Sequence, residues 1–425
     1  MFLGLRGRRS ASPAIRLLPC LVLPILILAG CSDHEDMLDV GPSAEAGVRG
    51  PTMASARAIP GAYIVVFKPG VADASGLSRR LLTETGATAR FTYSHAIKGF
   101  AADLPAKALE ALRRNPNVAY VEPDAAVELF GGSEPTPQVW GLDRIDQRAL
   151  PLDATYTWGM SGAGVNVYII DTGIRTTHVD FGGRAVWDFN AVQGKGPNTD
   201  CVGHGTHVAG TIGGTTYGVA KGVSLHAVKV LDCTGNGRWS WVIAGIDWVT
   251  AHATKPAVAN MSVGGEYNQA ANDAVAGSVA SGISYSIAAG NSTVDACTFS
   301  PASEPTALTV GATTKLDALA AYSNTGHCVD LFAPGSFILS DWNSSDTEAV
   351  YLSGTSMATP HVTGAAALYL ETHPSAALLA GATQNVITGL SAGTANLLLF
   401  TGDPNTATGG GDSCVPSKRW SKNCK

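Results

Sequence analysis

Between residues 139 and 401 the chain alternates short, almost continuously apolar runs with longer stretches of helical period, and this alternation constrains the fold more than any other feature. The apolar runs include "GVNVYIID", "VSLHAVKVL", "AVANMSV", "GISYSIAA" and "ALTVGA"; among the helical stretches are "WSWVIAGIDWVTAHA" and "NQAANDAVAGSVAS". Strands that are apolar on both faces cannot border water. They predict an α/β fold, a mostly parallel sheet with helices on both faces. Ligands of such sheets bind beyond the carboxyl ends of the strands, so chemistry is expected there. Hydrophobic residues, 45% of the chain, supply a large core. Charged residues reach only 15%, against about a quarter in ordinary globular chains. With 49 glycines the composition fits a secreted, loop-rich enzyme, and the net charge of -6 argues against a nucleic-acid partner.

The segments before residue 139 are organised differently. Arg6, Arg8, Arg9 and Arg16 lead into the apolar "LLPCLVLPILILAGC", which is short and broken by proline. Residues 1–31 therefore read as an export signal rather than a membrane span. Its end, Leu28-Ala29-Gly30-Cys31, resembles the lipobox of bacterial lipoproteins, which implies a lipid anchor on the precursor at Cys31. An ordinary small-residue cleavage site is the alternative. Residues 32–58 are poor in apolar periodicity and read as a flexible tether. Residues 59–129 carry the order β-α-β-β-α-β, with "ARFTYSHAIKGFAADL" as one or two strands, and predict a small ferredoxin-like α+β domain. Residues 130–138, "FGGSEPTPQ", form a linker that a protease can cut. Residues 402–425 are a Gly-rich linker and a short tail to which the sequence assigns no task. Apart from Cys20 and Cys31 the cysteines are Cys201, Cys233, Cys297, Cys328, Cys414 and Cys424, an even set in an exported chain, so disulfides are expected.

Three polar motifs interrupt the apolar pattern. "VYIIDTGIRTTHVDF" puts Asp171 at the carboxyl end of a strand; "DCVGHGTHVAGTIGG" puts His204 at the start of a small-residue helix. In "GTSMATPHVTG", Thr355, Ser356 and Thr359 precede an apolar run, and a cluster of this kind most simply caps a helix. Pro360 lacks an N–H and fits only near a helix start, so the helix begins within about a turn of it, with Ser356 at or beside its amino end. An acid, a base and a hydroxyl are what nucleophilic acyl transfer requires.

The three motifs resemble the signature blocks of subtilisin-like serine proteases. "WGLDRIDQRALPLD", "GVAKGVSLHAVKVLDCTGNG", "DWVTAHATKPAVANMSVGG" and "NTGHCVDLFAPG" are similar to the proteinase K branch and its aqualysin-type bacterial members. The small domain resembles the inhibitor propeptides of these enzymes. The resemblance implies an exported endopeptidase acting on polypeptides, made as a self-processed precursor with its propeptide as intramolecular inhibitor and a monomeric, extracellular or periplasmic mature form. It implies Asp171, His204 and Ser356 as the triad and Asn291 as an oxyanion donor. Gly235, Asn236 and Gly237 on one side, and Ser262, Val263 and Gly264 on the other, would hold an extended substrate. Trp239 would line an apolar subsite, and Ala288, Ala289 and Gly290 would wall the pocket before the scissile bond. Glu266 stands where related chains often have a third glycine. The family pairs cysteines at positions matching Cys201 with Cys233 and Cys297 with Cys328, which leaves Cys414 and Cys424. Structural calcium is implied at Asp330 with the carbonyls of Pro305 and Ala307, and at Asp143, Asp146, Gln147 and Asp153. Thr355 and Thr359 keep the capping and packing reading, and His361 reads as structural. No organic cofactor is expected.

Two readings from other classes compete. Cys201, His204, His207 and Cys233 form a zinc-type set, though their spacing matches no common zinc pattern. A non-catalytic binding protein on a protease fold is the other, against which stand the intact Asp171, His204, Ser356 and Asn291.

Overall fold

The computed structural model describes residues 58–129, 139–192, 198–372 and 378–402. The export signal, the tether up to residue 57, the 130–138 linker and the pair Cys414 and Cys424 lie outside the described residues.

The first unit comprises β1 (Ala58–Phe67), α1 (Ala74–Thr85), β2 (Ala89–Tyr93), β3 (Gly99–Asp103), α2 (Ala106–Arg113) and β4 (Val118–Leu129). The stretch read as one or two strands is two, β2 and β3, paired antiparallel around a turn at residues 94–98. Asp73 caps α1 by accepting from the Gly76 N–H at 2.7 Å, and Gly86 ends it in the left-handed conformation at φ 69°. The helices pack on one face of the sheet, burying Leu77, Leu81 and Leu112 against Val65, Phe67 and Phe100.

The second unit opens with α3 (Trp140–Ile145) and continues through β5 (Asn166–Asp171), β6 (Ala185–Asn190), α4 (His204–Gly213), β7 (Ser224–Lys229), β8 (Asn236–Arg238), α5 (Trp239–His252), β9 (Ala257–Met261), β10 (Val263–Glu266) and α6 (Gln269–Ala280). It ends with β11 (Ser284–Ala288), β12 (Phe299–Ser300), β13 (Leu308–Thr313), β14 (Leu331–Pro334), β15 (Ile338–Asp341), β16 (Ala349–Leu352), α7 (Thr355–Thr372), α8 (Leu378–Gly381), β17 (Thr383–Gln384) and β18 (Leu397–Leu398). Nine strands form one sheet in the order β17-β18-β14-β13-β11-β9-β5-β7-β6, parallel at every pairing except β17 with β18. Alternation along β5 explains why the strands read as continuously apolar. Val167 and Ile169 enter the cluster beneath α4 and α7, while Tyr168 and Ile170 enter the one beneath α5 and α6.

α7 begins at Thr355, so Ser356 is its second residue and Pro360 lies inside it. Pro360 cannot donate to the Ser356 carbonyl four residues back. The Ser262 hydroxyl takes that place, donating to the Ser356 carbonyl at 2.9 Å. A proline in the helix thus ties the start of α7 to the residue just before β10.

Candidate active site

β5 delivers Asp171 and α4 delivers His204 at the carboxyl edge of the sheet. The His204 Nδ1–H donates to Asp171 Oδ1 at 2.8 Å, a tautomer fixed by the acceptor-only carboxylate. The Thr172 N–H also donates to Asp171 Oδ1, at 2.7 Å. His204 Nε2 is buried without a hydrogen-bond partner among the described residues, and Ser356 Oγ donates instead to the Ser262 carbonyl at 3.0 Å. The structure therefore joins acid to base, while the serine hydroxyl is parked on a neighbouring carbonyl. Asp200 fixes the entry to α4, accepting from the Gly203 N–H at 2.8 Å and the Thr206 N–H at 2.9 Å.

Asn291 is held from α7. Its Oδ1 accepts from the Thr355 N–H at 2.9 Å and the Thr355 hydroxyl at 2.8 Å, which leaves the amide N–H groups as its donors. This corrects the capping expectation for Thr355: its hydroxyl also accepts from the Gly290 N–H at 3.1 Å, so it orients Asn291 rather than capping its own helix. Thr359 bonds back to the Thr355 carbonyl at 2.8 Å. His361 accepts the structural role, with Nδ1 donating to the Met357 carbonyl at 2.9 Å and burial pushing its pKa down to about 4. Burial likewise takes His207 down to about 3, with Nε2 on the Ile338 carbonyl. Cys201 is in a disulfide with Cys233, and Cys297 in one with Cys328. The first bond consumes both thiols of the zinc-type set.

The cleft is filled by the first unit. The last residues of β4 run antiparallel to β8, pairing Ala126 with Arg238, Val127 with Gly237 and Glu128 with Asn236. On the other side Glu128 pairs with Gly264 and Leu129 with Val263. Gly237 permits this approach, since a Cβ there would lie 2.5 Å from Leu231 and 2.9 Å from Val127. Val127 is buried in one apolar cluster with Leu231 and Trp239, so Trp239 is a core residue packed in the same cluster as the strand that occupies the cleft. Ala288, Ala289 and Gly290 are buried at the end of β11.

The helices behind the cleft grip the same unit with charge. Glu122 accepts from the Gln269 and Ala270 N–H groups at 3.0 and 2.9 Å, and Asp124 from the Ser240 N–H at 3.0 Å. Each carboxylate sits at a helix amino end, where dipole and free N–H groups favour it. In return Asp247 of α5 accepts from the His95 and Ala96 N–H groups of the 94–98 turn, both at 2.7 Å.

The acidic loop after α3 is compact. Asp143 accepts from the Asp153 N–H at 3.2 Å and the Ala154 N–H at 2.9 Å, and Gln147 Oε1 from the Asp153 N–H at 3.2 Å. Burial, then the Asp153 and Asp143 charges, raise Asp146 to about 6. At the other candidate, Asp330 Oδ2 accepts from the Thr309 N–H at 2.8 Å, beside the 305–307 carbonyls in sequence. Hard carboxylate and carbonyl oxygens of this kind suit calcium.

An acid-bound histidine and a serine at a helix start, on a parallel sheet whose cleft holds a strand of the first unit, point to a serine hydrolase of peptides. The Subtilase family profile matches residues 162–411 and the Peptidase inhibitor I9 profile residues 62–130. The chain is 47% identical over 408 residues to the extracellular serine proteinase of Thermus sp. (strain Rt41A), covering 90% of this chain and 98% of that one. It is 52% identical over 257 residues to proteinase T of Parengyodontium album, covering 59% of this chain and 86% of that one. A crystal structure of a cold adapted subtilisin-like serine proteinase, 50% identical, superposes with a TM-score of 0.60 over 62% of this chain and 98% of that one. The chain belongs to the Subtilase family. It is an exported serine endopeptidase, made as a self-processed precursor whose I9 propeptide is its own inhibitor.

Proposed function

We propose that Ser356 attacks the scissile carbonyl while His204 Nε2 takes its proton and Asp171 holds the imidazole and stabilises its charged form. The Ser356 hydroxyl leaves the Ser262 carbonyl for His204 Nε2 in this step. The Ser356 N–H and the Asn291 amide donate to the oxyanion, and His204 returns the proton to the leaving amine. Water then hydrolyses the acyl-enzyme by the same relay. Residues 235–237 and 262–264 hold the substrate backbone by β-pairing, with Ala288, Ala289 and Gly290 beside the residue before the cut.

The observation that carries this reading is the strand of residues 126–129 paired on both sides in the cleft. Because β4 stays paired in the cleft to its last residue, Leu129, the self-cleaved bond is placed after it, in the 130–138 linker. Wild type should process to a chain beginning within residues 130–138, and Ser356→Ala should stay full length. Processing of Ser356→Ala, or an amino terminus beyond residue 138, would reject it.

Calcium binds Asp143, Asp146, Gln147 and Asp153, and separately Asp330 with the Pro305 and Ala307 carbonyls. At the first site it would neutralise the like charges that Asp143 and Asp153 exert on Asp146, and at neither site would it take part in the chemistry. Cys31 carries lipid on the precursor, so that cutting in the 130–138 linker frees a monomeric catalytic unit from the membrane. Lipid on full-length Ser356→Ala supports the anchor, and its absence removes it. The cleft is complete within one copy, which supports the monomer.

A further inference from the structure

Lys229 is fully buried at the end of β7, opposite Asp171 in the register with β5, and no step above uses it. Its Nζ donates to the Thr172 carbonyl at 2.6 Å and lies 3.7 Å from Cys201 Sγ. The charged groups that face it are Asp200, at the entry to α4, Asp171 of β5 and Asp232 beyond β7. A buried ammonium is retained only where charge and hydrogen bonds offset its lost hydration.

What it holds matters more than where it sits. Thr172 donates its N–H to Asp171 Oδ1 at 2.7 Å and accepts at its hydroxyl from the Gly205 N–H at 2.9 Å. One residue therefore aims the acid, anchors the helix that bears the base, and is itself pinned by Lys229. Asp171 Oδ2 has no hydrogen-bond partner among the described residues, so part of the carboxylate charge is offset through space.

We propose that Lys229 is a positioning residue for the Asp171–His204 pair: its ammonium pins the Thr172 carbonyl and offsets the Asp171 charge, so that the acid orients the imidazole without over-stabilising its protonated form. The inference rests on the triad roles proposed above. A lysine that only filled space would contribute to stability and leave the protonation behaviour of the site alone.

The test is kcat/KM against pH for processed wild type, Lys229→Met and Lys229→Gln on a peptide anilide, with melting temperatures and a His204→Ala control. Removing the cation lets Asp171 stabilise the imidazolium more strongly, so the acid limb should move about one unit to higher pH in both variants. The plateau should fall about tenfold in Lys229→Met and recover in part in Lys229→Gln, which can still donate to Thr172. A lower melting temperature with the acid limb unmoved overturns the proposal. An active His204→Ala overturns the triad reading instead. Should neither lysine variant fold, proton NMR of the full-length Ser356→Ala precursor decides. Burial lowers the pKa of Lys229, so its alkaline titration should move the His204 Nδ1 proton resonance. A resonance stationary to about pH 11 overturns the proposal.

Discussion

Gly277, in the interior of α6, lies against the backbone of the propeptide's 94–98 turn. A Cβ at this position would lie 1.9 Å from the Ala96 carbonyl oxygen and 2.8 Å from its carbon, both backbone atoms of the 94–98 turn. In Gly277→Ala the turn must retreat by about 1.5 Å to reach ordinary contact. That movement breaks the two 2.7 Å bonds from His95 and Ala96 to Asp247. Charge-assisted bonds contribute roughly 1.5–3 kcal/mol each, and water recovers part of this at the re-exposed carboxylate. A net loss of about 3 kcal/mol corresponds to ~100-fold weaker inhibition. In the mature enzyme the clash is absent, and alanine in a helix interior is better than glycine by about 0.5–1 kcal/mol. The assay is the Ki of added propeptide against mature wild type and mature Gly277→Ala, with thermal melts of both. Inhibition should weaken while the melting temperature holds or rises. An unchanged Ki would refute the argument, since it would mean that the turn contributes nothing to docking.

Asp341 is buried beside Asp180 and 3.4 Å from His178 Nδ1, and burial, then the Asp180 charge, push its carboxyl up to about 8. A carboxyl raised on folding stabilises fully below its unfolded pKa of about 4 and loses that contribution as pH climbs through the folded value. The melting temperature of Asp341→Asn relative to wild type should therefore rise between about pH 4 and 8 and level off above; a difference independent of pH would sink the idea. Asn291→Ala should lower kcat by about a hundred- to a thousand-fold with KM little changed, a magnitude measured in subtilisin rather than worked from this structure. A comparable rise in KM would assign Asn291 to ground-state binding. A calcium chelator should lower the melting temperature of wild type, and Asp146→Asn should remove part of that response. Because burial and the Asp153 and Asp143 charges raise the Asp146 carboxyl, protons should compete with the cation as pH falls, and the chelator effect should shrink toward acid pH.

The sheet, and the element ends at which the proposed triad stands, are legible because each rests on local pattern. Doubly apolar strands announce burial on both faces, and Asp171, His204 and Ser356 each follow or precede an element whose end the sequence marks. Pro360 located the start of α7, but not the Ser262 hydroxyl that replaces the missing helix bond, since that contact spans 94 residues. Thr355 was misread for the same reason: capping is a local inference, and its partner Asn291 lies 64 residues away. Thr172 and Lys229 were passed over, being a turn threonine and a strand lysine until the fold brings them together. The last strand of the small domain was recognised as a strand, yet nothing in "VAYVEPDAAVEL" tells that its end belongs to a sheet built by another unit.

That strand has a further consequence. β10, β4, β1, β3 and β2 belong to one hydrogen-bonded sheet, with β8 on the other flank of β4. Once β4 departs, β8 and the β4-facing side of β10, whose other side stays paired with β12, become open edges of the kind that pair with extended chain through its backbone. A protease of this design meets its own kind as substrate: a copy that opens locally offers a neighbour the same extended backbone. Its working lifetime is then set by how rarely it unfolds, and the residues that slow unfolding protect activity as surely as those that perform it.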